Sequence, residues 1–523
     1  MGLLGSIGPV LRMTRAGWLL AREGVFSGVD ATLLPAEMRP MLAFAKLFAK
    51  RGRAAGGLAR AIDRLGPSYV KLGQFLATRP DVVGPQVVRD LETLQDRMAP
   101  FPRADAVATI ESSFGKPLAE IFAEFGEPMA AASIAQVHRA RTRERDGASR
   151  DVAVKVLRPG VGRRFRRDLS DMMFAARLAE RRSAEARRLR LTEVVETLTR
   201  SVAVEMDFRL EAAAASEFAE NVRADEDFRV PDVDWDRTTA DVLTIDWIDG
   251  AALSDEAALA SANVDRRALG RTVIQSFLRH ALRDGFFHAD MHQGNLFVDA
   301  QGRLVAVDFG ITGRLGLKER RFLAEILYGF IVRDYMRVAV AHFEAGYVPR
   351  KHRIEDFAQA IRAIGEPIHA RTADQISMSK LLTLLFEITA LFDMKTRTEL
   401  VMLQKTMVVV EGVARKLDPQ LDMWTTAEPA VARWVEENLG PKGKLEDLGR
   451  SLSALARAVR EGPDMLERIE RLSERAILLA EQPGLAVDAA TIEAQARANA
   501  RAGRWRTLAL WAIALALIAM ALT

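Results

Sequence analysis

A chain of 523 residues exceeds the size at which one hydrophobic core keeps growing, so a two-lobed or multidomain protein with helical additions is expected. It contains no cysteine, which excludes disulfides, thiolate metal sites and cysteine nucleophiles; any catalysis falls to carboxylates, lysine, histidine, hydroxyls or a bound metal. The formal charge is only +4, yet arginines cluster at Arg163 to Arg167 and Arg181 to Arg190; Phe165 alone among aromatics interrupts them, too few for a single-strand-binding groove, so a solvated face or an anionic lipid partner is expected and nucleic acid is not.

Residues 1–60 read as a basic helical region, broken near Gly24 to Ala36 and amphipathic from Leu42 to Arg60. Its first ten residues lack the basic start and cleavage pattern of a signal peptide. A second helical block, 61–128, has a helix start at Gly66-Pro67-Ser68. In it Lys71 and Gln74 stand three apart and can face the same way.

The character changes near Ala130. Ile134 to Ala140 and Val152 to Val156 read as strands joined through the polar stretch Arg141 to Arg150, which makes a β-hairpin natural. Helices return from Arg163 to Asn221, and Ala240 to Ile248 is a further strand. Beyond it the pattern is mostly helical except for a second hairpin, Asn295 to Val298 and Leu304 to Val307. This order suggests an α+β fold with a sheet-containing lobe at 129–250, a helical lobe at 251–425 and a helical linker at 426–506.

The last segment, 507–523, is apolar or Thr throughout and follows Arg501, Arg504, Trp505 and Arg506. Its 17 residues at ~1.5 Å each give roughly 25 Å, slightly short of a ~30 Å hydrocarbon core. It is expected to be a C-terminal membrane anchor, with the arginines on the cytoplasmic side and the globular part beside them.

The chemistry concentrates around the second hairpin. Asp290 and Asn295 lie in His288-Ala289-Asp290-Met291-His292-Gln293-Gly294-Asn295, and Asp308 opens Asp308-Phe309-Gly310 on its far side. Phosphoryl transfer needs a carboxylate near the acceptor, plus an amide and a second carboxylate as oxygen ligands for Mg²⁺, and this spacing delivers all three. Upstream, the alternation Val152, Val154, Val156 against Ala153, Lys155 points the Lys155 ammonium away from the apolar face of its strand. In kinases a lysine so placed holds the α- and β-phosphates and pairs with a helix glutamate. Candidate partners lie in Glu205 to Glu211; in one regular helix Asp207 and Glu211 share a face while Glu205 is about 200° away, which implies two cationic partners unless the helix breaks there.

The order Lys71-Leu72-Gly73-Gln74, the Ala-rich loop Met129 to Gln136, Glu205-Met206-Asp207, then the Asp290/Asn295 and Asp308 motifs resembles the UbiB/ADCK atypical kinases from about Ala61 to Trp424, including Leu403-Gln404-Lys405 to Val410-Glu411-Gly412. The resemblance implies an atypical protein-kinase-like two-lobed fold with an N-terminal helical extension and, here, a C-terminal membrane helix. It implies ATP with Mg²⁺, Ala130, Ala131, Ala132 and Ser133 at the phosphates, and Lys71 and Gln74 reaching over the nucleotide to Glu205 and Asp207. Lys155 would pair with Glu211, Asp290 would be the catalytic-loop carboxylate, and Asn295 and Asp308 the metal ligands. The family's setting implies ubiquinone biosynthesis at a membrane, with ATPase behaviour more readily than protein phosphorylation. Expected partners are anionic lipids, prenylated phenol or quinone precursors, other enzymes of the pathway and a second copy of the chain.

Two features of the residues fit that setting. Alanines stand where an ordinary kinase has glycines, which removes easy access to positive φ and adds methyl groups near the phosphates. Asp308-Phe309-Gly310 runs almost directly into Lys318-Glu319-Arg320-Arg321, leaving little room for a peptide-docking segment. The rival readings are a small-molecule kinase of the aminoglycoside or choline type, which would lack Lys71-Leu72-Gly73-Gln74, and a non-catalytic ATP-sensing scaffold. A flavin or oxygen-dependent hydroxylase is disfavoured, since no Gly-x-Gly-x-x-Gly follows a strand and no facial metal triad is visible.

Overall fold

The structure, a computed structural model, describes residues 7–25, 57–77, 85–91, 98–143, 147–182, 184–262, 264–367 and 398–439, with isolated positions between them. Of the expected linker at 426–506, residues 440–506 lie outside the described residues, as does the expected anchor at 507–523. Among the described residues no helix is long and apolar enough to cross a membrane. The chain divides into two compact units, the first drawing on residues 7–213 and 232–247, the second on 214–231 and 248–439.

The first unit is organised by a four-stranded antiparallel sheet in the order β1 (Glu124–Ala131), β2 (Ala135–Arg143), β3 (Ser149–Leu157), β5 (Val242–Asp246). The expected hairpin is β2–β3, with His138 opposite Val154 and Val137 opposite Lys155. Strand β1 begins at Glu124, ahead of the change of character near Ala130, and its register shifts around Pro128, a residue that cannot donate to a ladder. That proline and two alanines hid a strand whose alternation is weak.

The sheet is covered on both faces. Val152, Val154 and Val156 are fully buried with Phe101, Ile110, Phe122, Phe125 and Val242, beneath α5 (Arg103–Phe114) and α6 (Leu118–Ile121). Ile134, Leu157 and Leu243 pack on the other side with Phe165 of α7 (Val161–Arg182), Leu198 and Val202 of α9 (Leu191–Glu205) and Phe208 of α10 (Phe208–Asn221). Each such aliphatic side chain contributes about 1.5–3 kcal/mol on full burial. Lys155 therefore leaves the strand on the face covered by α7, α9 and α10.

Ahead of α5 the same unit holds α1 (Ile7–Arg22), α2 (Gly57–Leu65), α3 (Pro67–Ala77) and α4 (Pro85–Leu91). Gly66, at φ +101°, separates α2 from α3, and Pro67 takes the first helical position, where no N–H is needed. Within α3 a β-carbon at Gly73 would stand 2.4 Å from Leu94 Cδ1 and 3.3 Å from Ile62 Cδ1, so the glycine of Lys71-Leu72-Gly73-Gln74 is there for close packing. Helix α1 is tied to α7 by the Arg12 guanidinium, which forks onto the buried Asp171 carboxylate at 2.6 and 2.8 Å.

The second unit holds a sheet in the order β4 (Phe228–Arg229), β9 (Leu304–Ala306), β8 (Leu296–Asp299), β6 (Gly250–Ala252), and a two-stranded pair of β7 (Phe286–His288) with β10 (Thr312–Arg314). The hairpin expected from Asn295 to Val307 is β8–β9, with Phe297 opposite Val305. Around it run α11 (Glu256–Ser261), α12 (Arg266–Arg279), α13 (Leu317–Ile331), α14 (Tyr335–Glu344), α15 (Ile354–Gly365), α16 (Thr398–Leu417) and α17 (Met423–Leu439). Strands of two or three residues, at β4, β6, β7 and β10, are too short to show periodicity.

Candidate active site

In the first unit Lys155 Nζ lies 2.9 and 3.0 Å from the two carboxylate oxygens of Glu211 and 5.4 Å above the Phe208 ring. Both charged groups are largely buried, at 16% and 9% exposure, so the pair is screened far less than a surface bridge. Lys71 Nζ lies 2.6 Å from Glu205 Oε2, also mostly out of water at 12% and 19%.

The two acids serve different lysines because the helix breaks between them. Helix α9 stops at Glu205 and α10 starts at Phe208. Asp207 caps the new helix: its Oδ1 accepts the Arg209 amide at 3.1 Å, and the Arg209 guanidinium forks back at 2.8 and 2.6 Å. The hydrogen bonds from Arg209 hold the Asp207 carboxyl below the usual carboxylate range. The helix break left open for Glu205 to Glu211 is thus present and two lysines are engaged, while the expected role of Asp207 opposite Lys71 and Gln74 is corrected, because its carboxylate is taken by Arg209. Gln74 sits half-buried on α3, and among the described residues it makes no hydrogen bond to Glu205 or Asp207.

Ala130 and Ala131 end β1, opposite Val137 and Gln136 of β2, and the turn is closed by Ala132 N donating to Ala135 O at 2.8 Å, with Ser133 buried inside it. The region after the turn carries a polar network that periodicity did not reveal. Gln136 exchanges hydrogen bonds with the backbone of Phe101, at 2.9 and 3.2 Å, and its Nε2 lies 2.9 Å from His138 Nε2. His138 Nδ1 in turn donates to Gly126 O at 2.9 Å, which fixes the tautomer so that Nε2 accepts. Burial holds this imidazole neutral, below its ordinary pKa.

In the second unit the His288 to Asn295 loop is built from its own backbone bonds. His288 is fully buried; its Nε2 donates to Val307 O at 3.0 Å and its Nδ1 accepts from Asp290 N at 3.0 Å. Burial pushes His288 below the ordinary histidine pKa, consistent with this neutral tautomer. Asp290 O accepts His292 N at 2.9 Å and Asn295 Nδ2 at 3.1 Å. With its amide nitrogen so committed, Asn295 presents Oδ1 as the oxygen available to a cation. Val307 N donates to Asn295 O at 3.0 Å, so the residue before Asp308 is stitched to Asn295.

Asp308 is exposed and has φ +64°, the left-handed region that non-glycine residues seldom occupy. Phe309 beside it is buried, with ring centres 4.9 Å from His288 and 4.9 Å from Phe218, which also meets Phe228, His280 and Phe286. Just after it, β10 pairs with β7 so that Thr312 faces His288. Arg314 ends that strand, its guanidinium 4.2 Å over the Phe286 ring and forked onto Glu217 at 2.7 and 2.5 Å. The chain leaving Asp308 is thus fastened to the strand leading into Asp290. An amide oxygen and a carboxylate on neighbouring loops suit a hard, oxygen-seeking divalent cation such as Mg²⁺. Among the described residues no cluster of three or more His, Asp or Glu forms an all-protein cation cage.

Comparison with known proteins decides the family. Residues 93–342 match the ABC1 atypical kinase-like domain, and residues 361–422 match the UbiB helical domain. A Marinobacter nauticus protein named as a protein kinase UbiB is 38% identical over 463 residues, covering 87% of this chain and 84% of its own. This chain belongs to the UbiB family. A second relative bearing the same name, from Pseudomonas putida, is 37% identical over 452 residues, covering 84% of this chain and 83% of its own. Among solved structures, a Mycobacterium tuberculosis protein in complex with erythromycin aligns with a TM-score of 0.48 at 22% identity, covering 74% of this chain and 97% of its own. Within the UbiB frame, Lys155, Glu211, Asp290, Asn295 and Asp308 all fall inside the atypical kinase-like domain, whereas Lys71 and Gln74 precede it.

Proposed function

We propose that this UbiB-family protein binds ATP with Mg²⁺ and uses its hydrolysis, or transfer of its terminal phosphoryl group, to support ubiquinone biosynthesis at a membrane surface. The observation that carries the reading is the Asp290, Asn295 and Asp308 constellation, built on loops stitched together from Asn295 to Val307. Lys155, held by Glu211, is the cation for the α- and β-phosphates. Asn295 Oδ1 and the Asp308 carboxylate would hold Mg²⁺, which when bound neutralises phosphate charge. Asp290 orients the acceptor, water or a hydroxyl, and takes its proton.

A lipid or prenylated phenol is the favoured partner over a protein. Thr312 to Arg314 is consumed in β10 and α13 starts at Leu317, so the span that docks peptides in ordinary kinases is here a strand and a helix start. The segment at 507–523, with its preceding arginines, would place the protein on the cytoplasmic face of a membrane.

Purified full-length protein should hydrolyse ATP slowly with Mg²⁺ and lose that activity in EDTA. Anionic liposomes with a phenolic quinone-precursor mimic should raise it. Asp308→Asn should lower turnover at least ~100-fold; undiminished hydrolysis would defeat the metal assignment. Deletion of the encoding gene should accumulate an early prenylated quinone precursor in extracted lipids, and an unchanged quinone pool would defeat the pathway role.

A further inference from the structure

The amides of Ala289 and Asp290 and the Asp290 carbonyl are paired within the loop's own neighbourhood. Ala289 N donates to Ile311 O at 3.0 Å, Asp290 N to His288 Nδ1 at 3.0 Å, and Asp290 O accepts from His292 and Asn295. The Ala289 carbonyl draws its donor from farther along the chain. It belongs to a residue only 6% exposed, and its partner arrives from α16, where Thr406 Oγ1 lies 3.0 Å away.

Thr406 is completely buried on the apolar face of α16 that also carries Leu403, Val410, Val413 and Leu417. A threonine inside a helix ordinarily returns its hydroxyl proton to the carbonyl four residues back, and Met402 O is indeed 2.9 Å from Thr406 Oγ1. One proton serves one acceptor at a time. Met402 O already has a place in the helix ladder, whereas among the described residues Ala289 O has no other donor. An unsatisfied buried carbonyl is the costlier loss, so the proton goes to Ala289. The support is firm: α16 packs closely on α12 at Gly270, where a β-carbon would come within 3.3 Å of Ala414 O and 3.5 Å of Leu417 Cβ.

We propose that Thr406 is a positioning residue for the catalytic loop, setting the Ala289–Asp290 peptide, and hence the Asp290 carboxylate, from the helix that lies within the UbiB helical domain. Its effect on turnover rests on the ATP-handling reading above; its effect on the loop does not. The isosteric Thr406→Val removes only the donor, and Thr406→Ser restores it. In full-length protein, Thr406→Val should lower kcat for Mg²⁺-dependent ATP hydrolysis about tenfold with KM for ATP within about twofold, and Thr406→Ser should return kcat to near wild type. Amide hydrogen exchange over residues 286–296 should speed up in Thr406→Val and recover in Thr406→Ser, while a thermal melt confirms that each variant is folded. Unchanged exchange in Thr406→Val, or a serine variant as impaired as the valine one, would overturn the proposal. If wild-type protein turns over no ATP, the functional reading fails by itself, and the exchange comparison still decides the role of Thr406.

Discussion

Asp308 carries two demands that pull apart. Its carboxylate must stand exposed at the end of β9, and to reach that place its backbone adopts φ +64°, which costs a non-glycine L-residue about 1–2 kcal/mol. The strain is tolerated because Val307 N and the Phe309 ring, on either side, are fixed by Asn295 and by the Phe218 cluster. Asp308→Gly removes both strain and carboxylate; Asp308→Ala removes the carboxylate alone. In urea titrations the glycine variant should be more stable than the alanine variant by about 1 kcal/mol, with both equally inactive in ATP hydrolysis. An alanine variant as stable as the glycine one would show that the backbone there is unstrained. Lys155 is the opposite case: plain strand alternation fixes which way it points, so its orientation was legible from Val152 to Val156. Its partner, Glu211, came from the family resemblance and not from periodicity, because a lysine's choice among three nearby acids depends on where a helix ends.

That helix end belongs to the next scale. Glu205, Asp207 and Glu211 look like one charged helical stretch, yet the chain stops at Glu205 and begins again under an Asp207 cap. Asp is among the best residues for that position, so the signal was present in the sequence, and the separation of Glu205 from Glu211 around a regular helix already left a break open. The break lets Glu205 turn to Lys71 and Glu211 to Lys155. Asp207→Ala should then cost about 1 kcal/mol of stability, and Asp207→Ser, which can cap as well, should recover most of it. The measurement is a pair of urea midpoints; a serine variant as unstable as the alanine one would mean that Asp207 matters for its charge and not for its cap. The two hairpins and the helix start at Pro67 were readable because alternation, turn residues and a proline at the first helical position are local signals. Strand β1 was not, since Pro128 and its shifted register erase alternation, and neither was Thr406, whose hydroxyl matters only through a partner 117 positions away. A threonine spaced at helical intervals among Leu403, Val410 and Val413 was the available clue.

For the molecule as a whole, buried histidines set the response to acid. Burial lowers the pKa of His138 in the first unit and of His280, His288 and His342 in the second, the last to about 4, so all four are neutral in the folded protein near neutral pH. In the unfolded chain each titrates near its ordinary value of ~6.5. As pH falls through ~6.5 the unfolded state takes up protons that the folded state refuses, so the stability present above that value is lost on acidification, at up to about 1.4 kcal/mol per pH unit for each imidazole. Other groups act elsewhere or weakly. Asp225, although its burial opposes ionisation, is held below the usual carboxylate range by His280, Arg283 and Arg279, and its contribution is lost only in stronger acid. Glu411, pushed up by burial, acts in the opposite direction, one carboxyl against four imidazoles. The urea midpoint of the full chain should therefore fall between pH 7.5 and 5.5. His138→Gln, which gives up the bond to Gly126 O, should be less stable than wild type at pH 7.5 yet lose less on going to pH 5.5, because the unfolded state has one fewer imidazole to protonate. A wild-type midpoint that holds or rises on acidification would contradict the neutral burial of these side chains, and with it the tautomer by which His288 holds the Asp290 amide.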